Sequence, residues 1–108
     1  MALLTPGASF CEISEKSHRL PENCRANRYT LIMHGVGLCD EYPAIRYPED
    51  SLRRDYDGVI EPGMVLCVEA YVGEENAGEG VKLEQQVLIT DTGHQLLSTY
   101  PYDDALSA

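Results

Sequence analysis

Apolar and polar positions alternate most clearly late in the chain. Residues 64–72 (MVLCVEAYV) are apolar nearly throughout, with Glu69 as the one acid, which is the pattern of a well-buried strand. Residues 81–90 (VKLEQQVLIT) place Val81, Leu83, Val87 and Ile89 on one face and Lys82, Glu84 and Gln86 on the other, a second strand. A Gly-rich acidic loop, 73–80, separates the two, so an antiparallel hairpin is the simplest pairing. The turn Asp91-Thr92-Gly93 leads to a short last strand over 94–99, followed by a tail over 100–108. Upstream, Phe10, Ile13, Ser17 and Leu20 share one helical face. Ser9 stands three residues before Glu12, as in a capping box, and Pro21 stops the run, so the pattern predicts an amphipathic helix over 9–20. Pro6-Gly7 breaks the lead-in, and 22–27 is a polar loop. Residues 28–33 read as a strand with Tyr29 near its start. Residues 44–58 hold Pro48 and several charges without a clear period, and read as a long irregular loop. These elements predict an α+β domain: one amphipathic helix on a mainly antiparallel sheet.

Composition narrows the partners. The 108 residues suffice for one small domain. Eighteen acidic residues against 8 Lys and Arg give a net charge of −10, which disfavours nucleic-acid binding. No segment approaches a membrane span, and the first residues have neither the basic region nor the apolar run of a signal peptide. Cys11, Cys24, Cys39 and Cys67 show no zinc-finger or CxxC spacing, so reduced thiols in a cytoplasmic protein are the expectation, with Cys39 and Cys67 as small buried residues. His18 and His94 read as surface residues.

The hairpin has a chemical consequence. The register that closes Val72 against Val81 also opposes Glu69 and Glu84 on one face, with Cβ atoms about 4.5–5.5 Å apart. Like charges that close destabilise a sheet. A shared proton, a basic group or a divalent cation relieves them, and Lys82 and a metal are the two candidates.

A third group comes from residues 30–43 (TLIMHGVGLCDEYP). The apolar run Leu31-Ile32-Met33 delivers His34 to a site or to the core, and Gly35 and Gly37 permit a close approach of ligand or chain. An imidazole with two carboxylates suits zinc, manganese, iron or cobalt better than calcium or magnesium, and three protein ligands suffice for a zinc site with an open position. Asp40 follows the glycines, where an aspartate either caps a turn or acts as a base. Tyr29 is either a half-buried strand residue or a site residue.

Met33-His34-Gly35-Val36-Gly37, then residues 62–69 (PGMVLCVE), then 81–90 together resemble the C-terminal half of the pita-bread superfamily. That superfamily includes methionine aminopeptidase, Xaa-Pro aminopeptidase, prolidase and creatinase. The resemblance runs from about Leu4 to Leu97, with its three blocks in order. It implies that His34, Glu69 and Glu84 are ligands of a divalent metal. It also implies two further aspartate ligands, which neither the helix nor the one strand ahead of His34 can supply, so residues 1–108 are expected to be part of a larger catalytic domain and inactive alone. The missing half, or a partner chain, would supply those aspartates. Peptidases of this superfamily carry a second histidine before Glu-x-Pro. Here Asp40 stands ahead of Glu41-Tyr42-Pro43, which resembles the dimethylsulfoniopropionate lyase branch. That branch is bacterial, homodimeric and typically iron-containing, and it releases dimethyl sulfide and acrylate from a small-molecule substrate. The resemblance then makes Asp40 and Tyr29 active-site residues. A metallopeptidase acting on Xaa-Pro peptides, and a non-catalytic binding module, are the competing expectations.

Overall fold

The computed structural model describes residues 1–51 and 55–106. One helix, α1 (Phe10–Lys16), lies against a five-stranded antiparallel sheet. The strands are β1 (Leu31–Gly35), β2 (Ala44–Arg46), β3 (Val65–Val72), β4 (Val81–Thr90) and β5 (Gly93–Leu96), in the order β2-β1-β3-β4-β5.

The helix begins as its sequence predicts: Ser9 caps it and accepts from the Glu12 backbone N–H. It ends at Lys16 rather than at residue 20. Ser17 turns its backbone N–H and its hydroxyl onto the Ser14 carbonyl, which closes the last turn. Leu20 still packs against the core, but from irregular chain beyond the helix. The helix is fastened at its start by pairing of residues 7–10 with 58–60. Gly7 N–H donates to the Ile60 carbonyl at 2.8 Å and Phe10 N–H to the Gly58 carbonyl at 2.9 Å.

The sheet has two different faces because side chains alternate along a strand. Met33, Ile45, Leu66, Val87 and Ile89 are buried with Leu4, Phe10, Ile13 and Ile60 in one core on the helix side. Burying such side chains is worth about 1.5–3 kcal/mol each relative to exposure. The opposite face carries His34, Cys67, Glu69, Lys82, Glu84 and Gln86.

Two strand expectations need correction. The first strand is displaced toward its C-terminal end: it starts at Leu31, and it includes His34 and Gly35, which pair with Cys67 and Leu66. The irregular loop over 44–58 contains β2, which pairs with β1 through a register shift between Leu31 and Met33, and a 3-10 turn at Pro48–Asp50. Residues 52–54 of that expected loop lie outside the described residues. The last strand spans Gly93–Leu96 rather than 94–99. His94 is half-buried, with Nδ1 3.3 Å from the Leu4 carbonyl oxygen. Cys39 is exposed and only Cys67 is buried, because Cys39 falls in the turn after β1. Among the described residues, no helix is long and apolar enough to cross a membrane.

Gly35 shows why the chain needs glycine beside His34. An ideal Cβ there would stand 2.6 Å from the Tyr42 carbonyl carbon and 2.8 Å from Pro43 Cδ, while Gly35 N–H donates to the Pro43 carbonyl at 2.7 Å. Backbone cannot yield as a flexible side chain does. Gly35→Ala should therefore destabilise the fold by about 1–3 kcal/mol or more, as overpacking does. Urea unfolding measures it, and a midpoint equal to the parent's would contradict the close approach.

Candidate metal centre

Three strands deliver the site to the open face. His34 on β1 lies opposite Cys67 on β3, and Glu69, two residues further along β3, lies opposite Glu84 on β4. Residues two apart on a strand share a face, so this register alone puts His34, Cys67, Glu69 and Glu84 on one side of the sheet. The expected pairing of Val72 with Val81 and of Glu69 with Glu84 is what the sheet contains.

The distances follow from that register. His34 Nε2 is 3.5 Å from Glu69 Oε1. One donor atom each from His34, Cys67 and Glu84 lies within 4.8 Å of the other two. The Cys67 thiol donates to Glu84 Oε1 at 2.7 Å. Lys82 Nζ bridges the outer oxygens, at 2.8 Å from Glu69 Oε2 and 3.1 Å from Glu84 Oε2. The Glu69 side chain is only 1% exposed. Among the described residues, Lys82 Nζ at 2.8 Å is the cation closest to this carboxylate, and Glu69 Oε1 is left without a hydrogen-bond donor.

The electrostatics are those of a shared anionic pair. Hydrogen bonding from Cys67, then from Lys82, holds the Glu84 carboxyl below the usual carboxylate range. Burial, then the bond to Glu84, pushes the Cys67 thiol up to about 12, so the thiol keeps its proton and remains a donor. The two carboxylates raise the Lys82 ammonium above its ordinary value, Glu69 contributing more than Glu84.

Tyr29 lies beside this group, ahead of β1. Its hydroxyl donates to Glu41 Oε2 at 3.0 Å, and its ring centroid is 5.8 Å from Lys82 Nζ. The bond to Glu41, with burial second, raises its phenol. Arg28, next in the chain, pairs with Asp50 at 2.6 Å and lies over the Tyr47 ring, which fixes the backbone leading into Tyr29. Asp40 is placed differently. It is exposed at φ 56° in the turn after β1, and its side chain makes no hydrogen bond or ion pair with the described residues. The sheet thus gathers His34, Glu69 and Glu84, reaches Tyr29 through Lys82, and leaves Asp40 on the rim. Sequence reasoning did not single out the Cys67–Glu84 bond or the Tyr29–Glu41 bond. The register would have found the first, since Cys67 and Glu84 share a face one step apart.

A divalent cation suits this donor set. The buried Glu69 carboxylate, whose Oε1 has no donor among the described residues, an imidazole nitrogen beside it and a second carboxylate on the same face form a nitrogen-and-oxygen set typical of first-row divalent ions.

A helix on one side of an antiparallel sheet, with histidine and paired glutamates on the other, is the arrangement of a pita-bread metalloenzyme. The chain belongs to metallopeptidase family M24, whose pattern it matches over residues 1–91. It is 53% identical over 106 residues to the dimethylsulfoniopropionate lyase DddP of Roseovarius nubinhibens, covering 98% of this chain and 24% of that protein. It is 46% identical to the DddP of Roseobacter denitrificans over the same shares. In three dimensions it matches the X-Pro aminopeptidase of Thermotoga maritima with a TM-score of 0.62 at 22% identity, covering 94% of this chain and 28% of that one. The chain thus spans about a quarter of the length of these curated relatives. Divalent metal is the cofactor the family implies.

Proposed function

We propose that this chain carries the His34, Glu69 and Glu84 part of the metal centre of a dimethylsulfoniopropionate lyase. The observation that supports the metal site is the buried Glu69 carboxylate, opposed by Glu84 and 3.5 Å from His34. The choice of a lyase over a peptidase is supported by the 53% and 46% identity to two lyases across nearly the whole chain. Iron is the favoured ion, with manganese, zinc and cobalt as alternatives of similar ligand taste. Two further aspartate ligands come from sequence outside residues 1–108 or from a partner chain. The complete enzyme is a cytoplasmic homodimer.

The reaction is a β-elimination. When bound, the ion supplies positive charge against the substrate carboxylate and against the charge that builds at the α-carbon. Asp40 takes the α-proton as general base, and its exposed, unpaired position leaves it open to substrate. The carbon–sulfur bond breaks, its electron pair leaves with sulfur as neutral dimethyl sulfide, and acrylate remains. Sulfide departs without an acid, consistent with Asp40 standing where a peptidase has histidine. Tyr29 faces the substrate beside the carboxylates, held by Glu41. The full-length protein, loaded with Fe(II), should release dimethyl sulfide from dimethylsulfoniopropionate, measured in the headspace. Cleavage of Xaa-Pro peptides without dimethyl sulfide would overturn the lyase and leave the metal site standing.

A further inference from the structure

Lys82 occupies an unusual position for a lysine in a metal-binding region. It stands on β4 two residues before Glu84 and therefore on the same face. Its ammonium lies 2.8 Å from Glu69 Oε2 and 3.1 Å from Glu84 Oε2, taking one oxygen of each carboxylate. The remaining oxygens face inward: Glu69 Oε1 toward His34 and Glu84 Oε1 toward Cys67. Glu69 is almost completely buried, so its charge has little water to rely on. The side chain of Lys82 is itself 49% exposed, and its ammonium lies 5.8 Å from the centre of the Tyr29 ring.

We propose that Lys82 is a resident counter-cation that competes with the divalent metal for Glu69 and Glu84. This rests on the reading of these residues as metal ligands. The physical argument is one of charge. Two opposed carboxylates on a sheet repel each other, and in the metal-free protein the ammonium offsets that repulsion. A divalent ion held by the same two carboxylates would face the positive charge of the ammonium, and the two cations would repel. Lysine is the side chain built to leave. Its charge sits on a flexible four-carbon stem, it makes no bidentate fork, and here it is already half in water. Metal binding therefore moves Lys82 outward, and the energy of its two ion pairs is subtracted from metal affinity. Such a residue protects the fold while metal is scarce and keeps the site from holding metal more tightly than exchange allows.

Calorimetric titration of the full-length, metal-stripped protein with Mn(II) tests this. Lys82→Met should bind about tenfold more tightly than the parent, equivalent to about 1.4 kcal/mol. Lys82→Arg, which keeps the charge and adds a bidentate fork, should bind no more tightly than the parent. Without metal, Lys82→Met should melt at a lower temperature than the parent, and saturating Mn(II) should close that gap. Equal or weaker Mn(II) binding by Lys82→Met, with binding still abolished by Glu69→Gln, would overturn the counter-cation and spare the metal site. Mn(II) binding indifferent to Glu69→Gln would overturn the site and the inference together. Should Lys82→Met not fold, acylation of the parent followed by peptide mapping decides the matter. Mn(II) should raise modification of Lys82 severalfold while leaving Lys16, the other lysine of the chain, unchanged. An unchanged Lys82 would overturn the proposal.

Discussion

Glu69→Gln should lower metal affinity by at least about 100-fold while leaving the metal-free protein about as stable as the parent. Changing residues that merely orient a metal ligand typically costs 10–100-fold in affinity. Glu69 is proposed as a ligand itself, and its replacement removes a full charge as well as a donor. The stability half of the expectation follows from the surroundings. Breaking a buried ion pair is usually expensive because the surviving partner is left buried and unpaired. Here the survivor is Lys82, which keeps Glu84 at 3.1 Å and has half of its side chain in water. The amide also ends the repulsion between opposed carboxylates. The metal-free unfolding free energy should thus lie within about 1 kcal/mol of the parent's. Calorimetry with Mn(II) and urea unfolding of the stripped protein give the two numbers. Retained affinity would remove Glu69 from the ligand set. A large loss of stability would show that the carboxylate is structural.

The contrast between these residues and Asp40 explains how much of the molecule its sequence discloses. The opposition of Glu69 and Glu84 was legible because two long strands joined by a short loop leave one natural register, and register alone sets which side chains meet. The shared core was legible for the same reason: Leu66, Val87 and Ile89 alternate with the site residues. Short elements left less trace. Ala44–Arg46 is three residues long, too few for a period, and it is a strand because β1 offers it an edge. The helix overran in the reading because Leu20 keeps the helical spacing, yet its burial is achieved by chain that has already left the helix. Lys82 is a candidate neutraliser from the sequence, one of two. Its contacts at both carboxylates depend on side-chain reach, which spacing does not encode. The Tyr29–Glu41 bond joins the entry of β1 to the loop beyond it, and nothing in the sequence between them announces it.

If Asp40 is the base of the proposed lyase, Asp40→Asn in the full-length protein should leave metal binding intact and cut dimethyl sulfide release by about 10²–10⁴-fold, the usual worth of a general base. The structure separates this residue from the cluster in a way that makes the experiment clean. Asp40 is exposed, makes no hydrogen bond or ion pair with its side chain among the described residues, and stands in a turn whose left-handed backbone asparagine accepts as readily as aspartate. The substitution therefore removes the proton acceptor without disturbing the sheet that holds His34, Glu69 and Glu84. Metal content of the full-length variant should remain at the parent's level, and its melting temperature should hardly move. His34→Ala offers the opposite signature, because its imidazole lies 3.5 Å from the buried Glu69 carboxylate. That variant should lose metal and activity together. The decisive outcome is a split between the two: full metal with lost turnover in Asp40→Asn, and loss of both in His34→Ala. Unimpaired turnover in Asp40→Asn would mean that the base lies elsewhere and that Asp40 serves only its turn, as an aspartate at that backbone angle commonly does.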